Sequence, residues 1–294
     1  MTPRSIVSQT AIAAFTMGLL FAGAANAQDA NARLQEVVST IEENLDARVG
    51  IVVRDSGSDW QWAHREDERF LMNSTFKSVL CGAVLQRAEI GELALTETLE
   101  IEASDILDYA PVAETRVGES MTIGELCLAT LDMSDNTAAN LLIGRLGGPQ
   151  EVTAFMRSLG DSVTRLDRLE PEMNSFAEGD PRDTTTPAAM AASWETMLLG
   201  DGLSPASQAQ LIEWMSIGGV TGALLRASTP EDWLVADKSG SGNRTRNLVA
   251  MVTPPDEAPY VVSIYLSDTT ADFQARNAAV TEIGAAIVDL IEAR

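Results

Sequence analysis

Segments with strand character lie near both ends of this chain, and helical texture fills the stretch between them. Two runs, Arg48–Asp55 and Asp59–Ala63, flank Ser56-Gly57-Ser58 and read as a hairpin. Three more, Trp233–Ser239, Asn247–Val252 and Tyr260–Leu266, are each bounded by Gly, Pro or Asp turns. From Glu68 to Met215 the sequence is Ala- and Leu-rich, interrupted at Gly147-Gly148-Pro149 and again at Glu178–Pro187. Unpaired strands would leave backbone N–H and C=O groups without partners. The two terminal sets are therefore expected to join in one five-stranded antiparallel sheet.

The flanks of those strands complete the architecture. Leu34, Val37, Val38, Ile41 and Leu45 recur at helical spacing, as do Val280, Ile283, Ile287, Leu290 and Ile291. Two amphipathic helices are thus expected to cover the sheet, giving an α/β (α+β) fold with an all-helical lobe. The boundaries read as a discontinuous α/β lobe from 28–67 and 214–294 and a helical lobe over 68–213. The cleft between the lobes is the default site.

Residues 1–27 read as an address rather than structure. Arg4 precedes an apolar stretch through Ile12–Phe21, and Ala25-Asn26-Ala27 is a small-x-small cleavage site. A secretory signal peptide is expected, with a periplasmic or secreted product that has no membrane attachment after cleavage. In an oxidising compartment Cys81 and Cys127, the only cysteines, are expected to form a disulfide. Seven residues separate Cys81 from Ser74 and seven separate Cys127 from Ser134. If those segments are helical, the cross-link would staple two motif-bearing elements.

Composition removes several chemistries. One histidine, His64, leaves no His-rich zinc site, and it falls in the charged stretch Arg65-Glu66-Asp67-Glu68. Two cysteines cannot supply a Cys₄ site, so no metal or cofactor is expected. The net charge of −23 offers no basic face for nucleic acid. A hydrolase built from this chain would depend on Ser, Lys, Asp or Glu.

Of 20 basic residues only Lys77 and Lys238 are lysines; the rest are arginines. An arginine keeps its proton in a protein, whereas a desolvated lysine can lose one. Lys77 stands three residues after Ser74, so the two share a helix face. At a helix start, free N–H groups would favour an anionic intermediate on that serine. Lys238 ends a strand in Lys238-Ser239-Gly240. Between them come Ser134-Asp135-Asn136 and the segment Glu170-Pro171-Glu172-Met173-Asn174.

The four motifs in this order resemble those of class A serine β-lactamases, along essentially the whole chain after residue 27. The stretches Phe70–Leu85, Met121–Pro149, Arg165–Asn174 and Ala236–Gly242 carry the likeness. Ser239 stands where the family commonly has Thr, which keeps the hydroxyl. The Gly242–Arg246 turn is about one residue shorter than in some relatives, leaving open whether Arg246 or Arg244 meets a substrate carboxylate.

The resemblance implies roles residue by residue. Ser74 would be the nucleophile, with Lys77 and Glu170 as rival acylation bases, and Ser134 would protonate the departing nitrogen. The backbone N–H groups of Ser74 and Ser241 would hold the oxyanion. Glu170 and Asn174 would hold the deacylating water, and Asn136 would bind the substrate amide. Lys238, Ser239, Ser241 and Arg246 would receive the carboxylate, with Tyr109 at the rim. Arg168 and Asp183 match a pair that pins the Glu170 loop, whereas Asn73 and Ser78 read as residues that cap or pack. Trp60, Trp62 and Trp233 read as core.

The implied product is a monomeric enzyme that hydrolyses penicillins and early cephalosporins, with little action on imipenem or ceftazidime. Carbapenem-hydrolysing relatives carry cysteines where this chain has Asn73 and Gly242. Two alternatives stand beside it: a D-alanyl-D-alanine carboxypeptidase-like penicillin-binding enzyme, and a β-lactam sensor acylated once. Glu170 with Asn174 speaks against the first, and the lack of a spanning segment speaks against the second.

Overall fold

The structure, a computed structural model, describes residues 11–294, with side chains from residue 26 onward. In chain order its elements are α1 (Ala11–Leu45), β1 (Arg48–Asp55), β2 (Gln61–His64), β3 (Phe70–Leu71), α2 (Phe76–Glu89), β4 (Thr98–Glu100) and β5 (Ser120–Thr122). There follow α3 (Ile123–Asp132), α4 (Asn136–Leu146), α5 (Pro149–Ser158), β6 (Thr184–Thr185), α6 (Pro187–Leu198) and α7 (Pro205–Ser216). The chain closes with β7 (Leu234–Gly242), β8 (Thr245–Thr253), β9 (Tyr260–Ser267) and α8 (Phe273–Glu292). Of the signal peptide expected over 1–27, residues 1–10 lie outside the described residues. Where described, α1 runs unbroken through Ala25-Asn26-Ala27. Among the described residues no helix is long and apolar enough to cross a membrane.

The terminal strands do pair with one another, in the order β2-β1-β9-β8-β7 and antiparallel throughout. Strand β9, from the far end of the chain, bridges β1 and β8, setting Ile264 beside both Ile51 and Leu248. Alternation along the inner strands sorts side chains to two faces. Val49, Ile51, Val53, Leu248, Ala250, Val252, Val262, Ile264 and Leu266 join a core with Leu34, Val38 and Ile41 of α1 and Val280, Ile283 and Ile287 of α8. Val52, Val249, Met251, Val261 and Tyr265 face the other way, into the core shared with the helical block.

Three sequence readings need correction. The second hairpin strand begins at Gln61 rather than Asp59, because the Asp55 carboxylate accepts from Gly57 N at 2.8 Å and Ser58 Oγ at 2.7 Å and so extends the turn. The two-stranded pairs β3–β6 and β4–β5 were not foreseen; runs of two or three residues carry no readable periodicity. Of Trp60, Trp62 and Trp233, only Trp62 is buried; Trp60 and Trp233 are partly exposed, and the Arg294 guanidinium sits 3.7 Å over the Trp60 ring.

The expected disulfide is also not there. Cys81 and Cys127 are free thiols, both fully buried, with Cys81 Sγ 3.7 Å from the Cys127 carbonyl oxygen. The helices do bring the two residues together, as their spacing suggested. Burial holds the Cys81 thiol well above its ordinary pKa, which suppresses the thiolate that disulfide exchange requires.

Candidate active site

Strand β7 is an edge of the sheet, and its free side faces the turn that precedes α2. That turn, a 3₁₀ segment over Asn73–Thr75, carries Ser74, so the serine sits just ahead of the α-helix rather than within its first turn. A side chain at Gly240 would lie 2.8 Å from Met72 O and 3.1 Å from Ser74 N. Glycine there lets the strand edge come against the serine's main chain.

Helix α4 supplies the opposite wall. Asp135 caps it, accepting from Ala138 N at 2.9 Å, and its other oxygen accepts from Val112 N and Ala113 N. One buried carboxylate thus ties the helix start to the loop that carries Tyr109. Ser134 at φ 59° and Tyr109 at φ 65° both adopt left-handed backbone, uncommon for such residues, at the point where their side chains meet the cleft.

Glu170 arrives on a loop held from two directions. Asn140, one turn along α4 from Asn136, donates to Glu170 O at 2.8 Å and accepts from Glu170 N at 3.0 Å. The Glu170–Pro171 peptide is cis. At the loop base Arg168 Nε lies 2.5 Å from Asp183 Oδ2, and Asp183 Oδ1 accepts from Asp167 N and Arg168 N. Asp183 is fully buried, so this pair is not a solvated one.

The two lysines converge on Ser134. Lys77 Nζ donates to Ser134 O at 2.7 Å and Asn136 Oδ1 at 2.6 Å, and lies 3.4 Å from Ser134 Oγ. Lys238 Nζ reaches the same Oγ at 3.0 Å. Lys77 also faces Glu170 Oε1 at 3.3 Å, both side chains being fully buried. Burial pushes the Lys77 pKa down, against the opposing pull of Glu170. Burial, with Lys77 adding to it, pushes Lys238 well below the ordinary lysine value. Two lysines in an arginine-rich chain occupy the position where a proton could be given up.

The cleft itself measures about 320 Å³ and is lined by Ser74, Tyr109, Ser134, Asn136, Asn174, Val220, Ser239, Gly240, Ser241, Arg246 and Phe273. Larger clefts exist, of about 380, 450 and 570 Å³, but none is lined by Ser74 or Ser134. Arg246 lines the cleft, anchored by Asn277 Oδ1 at 2.9 and 3.1 Å and donating to Gly240 O. Burial, with Arg276 nearby, brings its pKa down to about 10, so it stays charged near neutrality. Arg244 turns away, donating to Asp268 O at 2.5 Å and lying 5.1 Å over the Phe176 ring.

The structure therefore brings together Ser74, Lys77, Ser134, Asn136, Glu170, Asn174, Lys238, Ser239, Ser241 and Arg246, with Tyr109 57% exposed at the rim. His64 is remote, 3.3 Å from Glu42. Sequence reasoning missed Asn140, Val220 and Phe273. The four-residue step from Asn136 to Asn140 was a usable signal; nothing local marks Val220 or Phe273.

Comparisons with known proteins agree with this geometry. A family model described as the beta-lactamase enzyme family matches residues 30–291. A beta-lactamase of Rhodobacter capsulatus is 54% identical over 275 residues, covering 94% of each chain. The structure of a beta lactamase from Xanthomonas campestris pv. campestris superposes with a TM-score of 0.86 at 49% identity, covering 89% of this chain and 98% of that one. An ancestral class A beta-lactamase gives 0.84 at 49% identity, covering 87% and 99%.

Proposed function

The chain belongs to the β-lactamase enzyme family, within class A, and from that premise we propose that it is an exported enzyme that opens penicillins and early cephalosporins through an acyl-enzyme on Ser74. Hydrolysis of a β-lactam is the activity of the family. Export, the substrate range and the part played by each residue are our reading.

Ser74 Oγ attacks the lactam carbonyl carbon and gives its proton to Lys77, whose depressed pKa suits it to act as a base. The oxyanion is held by the Ser74 and Ser241 N–H groups. As the C–N bond breaks, Ser134 passes its proton to the ring nitrogen and is resupplied from Lys77, which lies 3.4 Å from its hydroxyl. Glu170, with Asn174, then activates water to cleave the ester and return Ser74. Lys238, Ser239 and Arg246 take the substrate carboxylate, Asn136 its amide, and Tyr109 borders the entrance.

The observation that carries this reading is the buried Lys77–Glu170 pair at 3.3 Å, which joins an acylation base to a second base for the water step. A carboxypeptidase-like enzyme or a sensor has no use for the second. Asn73 and Gly242 fill the places where carbapenem-hydrolysing relatives carry cysteines, which supports weak action on imipenem. The leader is cleaved after Ala27 and the enzyme works as a monomer outside the cytoplasm.

The test is turnover of a chromogenic cephalosporin in large molar excess. Complete hydrolysis is expected; one equivalent released and then no further reaction would identify a binder instead. Comparison of kcat/KM for benzylpenicillin, an early cephalosporin, ceftazidime and imipenem checks the range, and imipenem turned over as well as benzylpenicillin would overturn it.

A further inference from the structure

We infer that Asn73 is a positioning residue for water activation: it fixes which end of the Asn174 amide faces Glu170, through a hydrogen-bond chain whose polarity starts at main-chain carbonyls. This rests on the reading of Glu170 and Asn174 as the deacylating pair.

The chain begins at Asn247 on β8. Its Nδ2 lies 2.8 Å from Leu71 O and 3.1 Å from Met72 O. Carbonyls only accept, so the nitrogen end of this amide must face them. The cost is visible: Asn247 Oδ1 is buried with no partner. The same Nδ2 lies 3.1 Å from Asn73 Oδ1, which also accepts from Thr245 Oγ1 at 2.7 Å. Because the oxygen of Asn73 is committed to the sheet, its nitrogen faces outward and donates to Asn174 Oδ1 at 2.8 Å. Asn174 must then turn its own nitrogen to Glu170 Oε2, at 2.5 Å. Reversing Asn174 would set a carbonyl oxygen against the carboxylate, with neither able to donate.

The residue type fits the place. Asn73 is fully buried at φ 45°, a left-handed conformation that Asn tolerates better than most side chains. A side chain at Gly242 would come within 2.8 Å of Asn73 Nδ2, so glycine there leaves room for the amide. The relay links β8, the nucleophile turn and the Glu170 loop, three segments far apart in sequence. Asn73 does not line the cleft; it acts through Asn174.

Asn73→Gly tests this, because glycine accepts the backbone angle while removing the amide. Asn73→Asp, of the same shape but with an acceptor in place of the donor, is the second variant. Acylation and deacylation are timed separately by rapid-quench mass spectrometry with a penicillin. Deacylation should slow about 10- to 100-fold in both variants, the scale of a misplaced reacting group, with acylation changed less than about 3-fold. In an Asn174→Ala background, Asn73→Gly should slow deacylation no further, since the path runs through Asn174. Equal slowing of both steps, no slowing of deacylation, or an additive effect in the double variant each overturns the inference. Glu170→Ala is run in parallel. If it traps the acyl-enzyme while the Asn73 variants deacylate normally, positioning by Asn73 alone has failed. If Glu170→Ala itself turns over at the parent rate, the assignment of the deacylating pair has failed.

Discussion

On one face of the sheet, Ile51, Leu248 and Ile264 lie in register on neighbouring strands and are buried under α1 and α8. At its β7 edge the same sheet borders a cleft backed by two buried lysines and a buried glutamate, with Asn73 and Ser134 close by at positive φ. The first region obeys every local preference: alternating apolar residues on strands and helical spacing on the covering helices. The second departs from several of them at once. Stability is drawn from one region and, in the proposed reading, chemistry from the other, and burial supplies the link. The low dielectric that rewards apolar packing also depresses the pKa values of Lys77 and Lys238, the first of them the base in the proposed mechanism.

This contrast breaks most sharply at Ser74. Ser74→Ala should lower kcat/KM by roughly four orders of magnitude or more, while the thermal midpoint stays at or above that of the parent. Steady-state kinetics beside a melting curve decide it; substantial residual turnover would place the nucleophile elsewhere.

The converse change is Ile264→Ala in the sheet core. It should cost about 2–5 kcal/mol of stability through lost burial and the cavity left behind. Activity per folded molecule should hold. Urea unfolding together with active-site titration separates the two quantities, and a proportional loss of kcat/KM would mean that sheet packing sets the cleft geometry.

Lys238→Arg sharpens the link between the two regions. On the proposed role of Lys238, carboxylate binding would need it charged, and burial places its pKa well below the ordinary value. KM should therefore rise as the pH climbs through that lowered pKa. An arginine keeps its proton there, so in the variant the alkaline rise in KM should move to higher pH, whatever rate is lost to the bulkier group. An unchanged alkaline limb would assign that titration to another residue.

The smallest effect concerns the surface shared by both regions. With 43 acidic and 20 basic residues, self-repulsion should ease as salt is added. The melting temperature should rise by a few degrees toward about 1 M salt, where screening acts within roughly 3 Å. A flat curve would show that the acidic excess does not act on stability.

Local spacing made much of this legible. Leu34, Val38, Ile41 and the α8 positions announced their buried faces, and Gly147-Gly148-Pro149 marked a helix end followed by a helix start. The scarcity of lysine pointed to Lys77 and Lys238, and the order of the four motifs named the family, because each of these signals lies within a few residues of itself. Tertiary structure decided what depends on distant segments meeting. Arg246 rather than Arg244 lines the cleft, because Asn277 on α8 anchors one while Asp268 and Phe176 draw the other away. Cys81 and Cys127 adjoin without bonding, in a core that keeps the Cys81 thiol protonated. Asn73 was read as a residue that caps or packs. Its amide engages Asn174, Thr245 and Asn247, all roughly a hundred or more positions away, and no period or spacing can encode a hydrogen bond across such a separation.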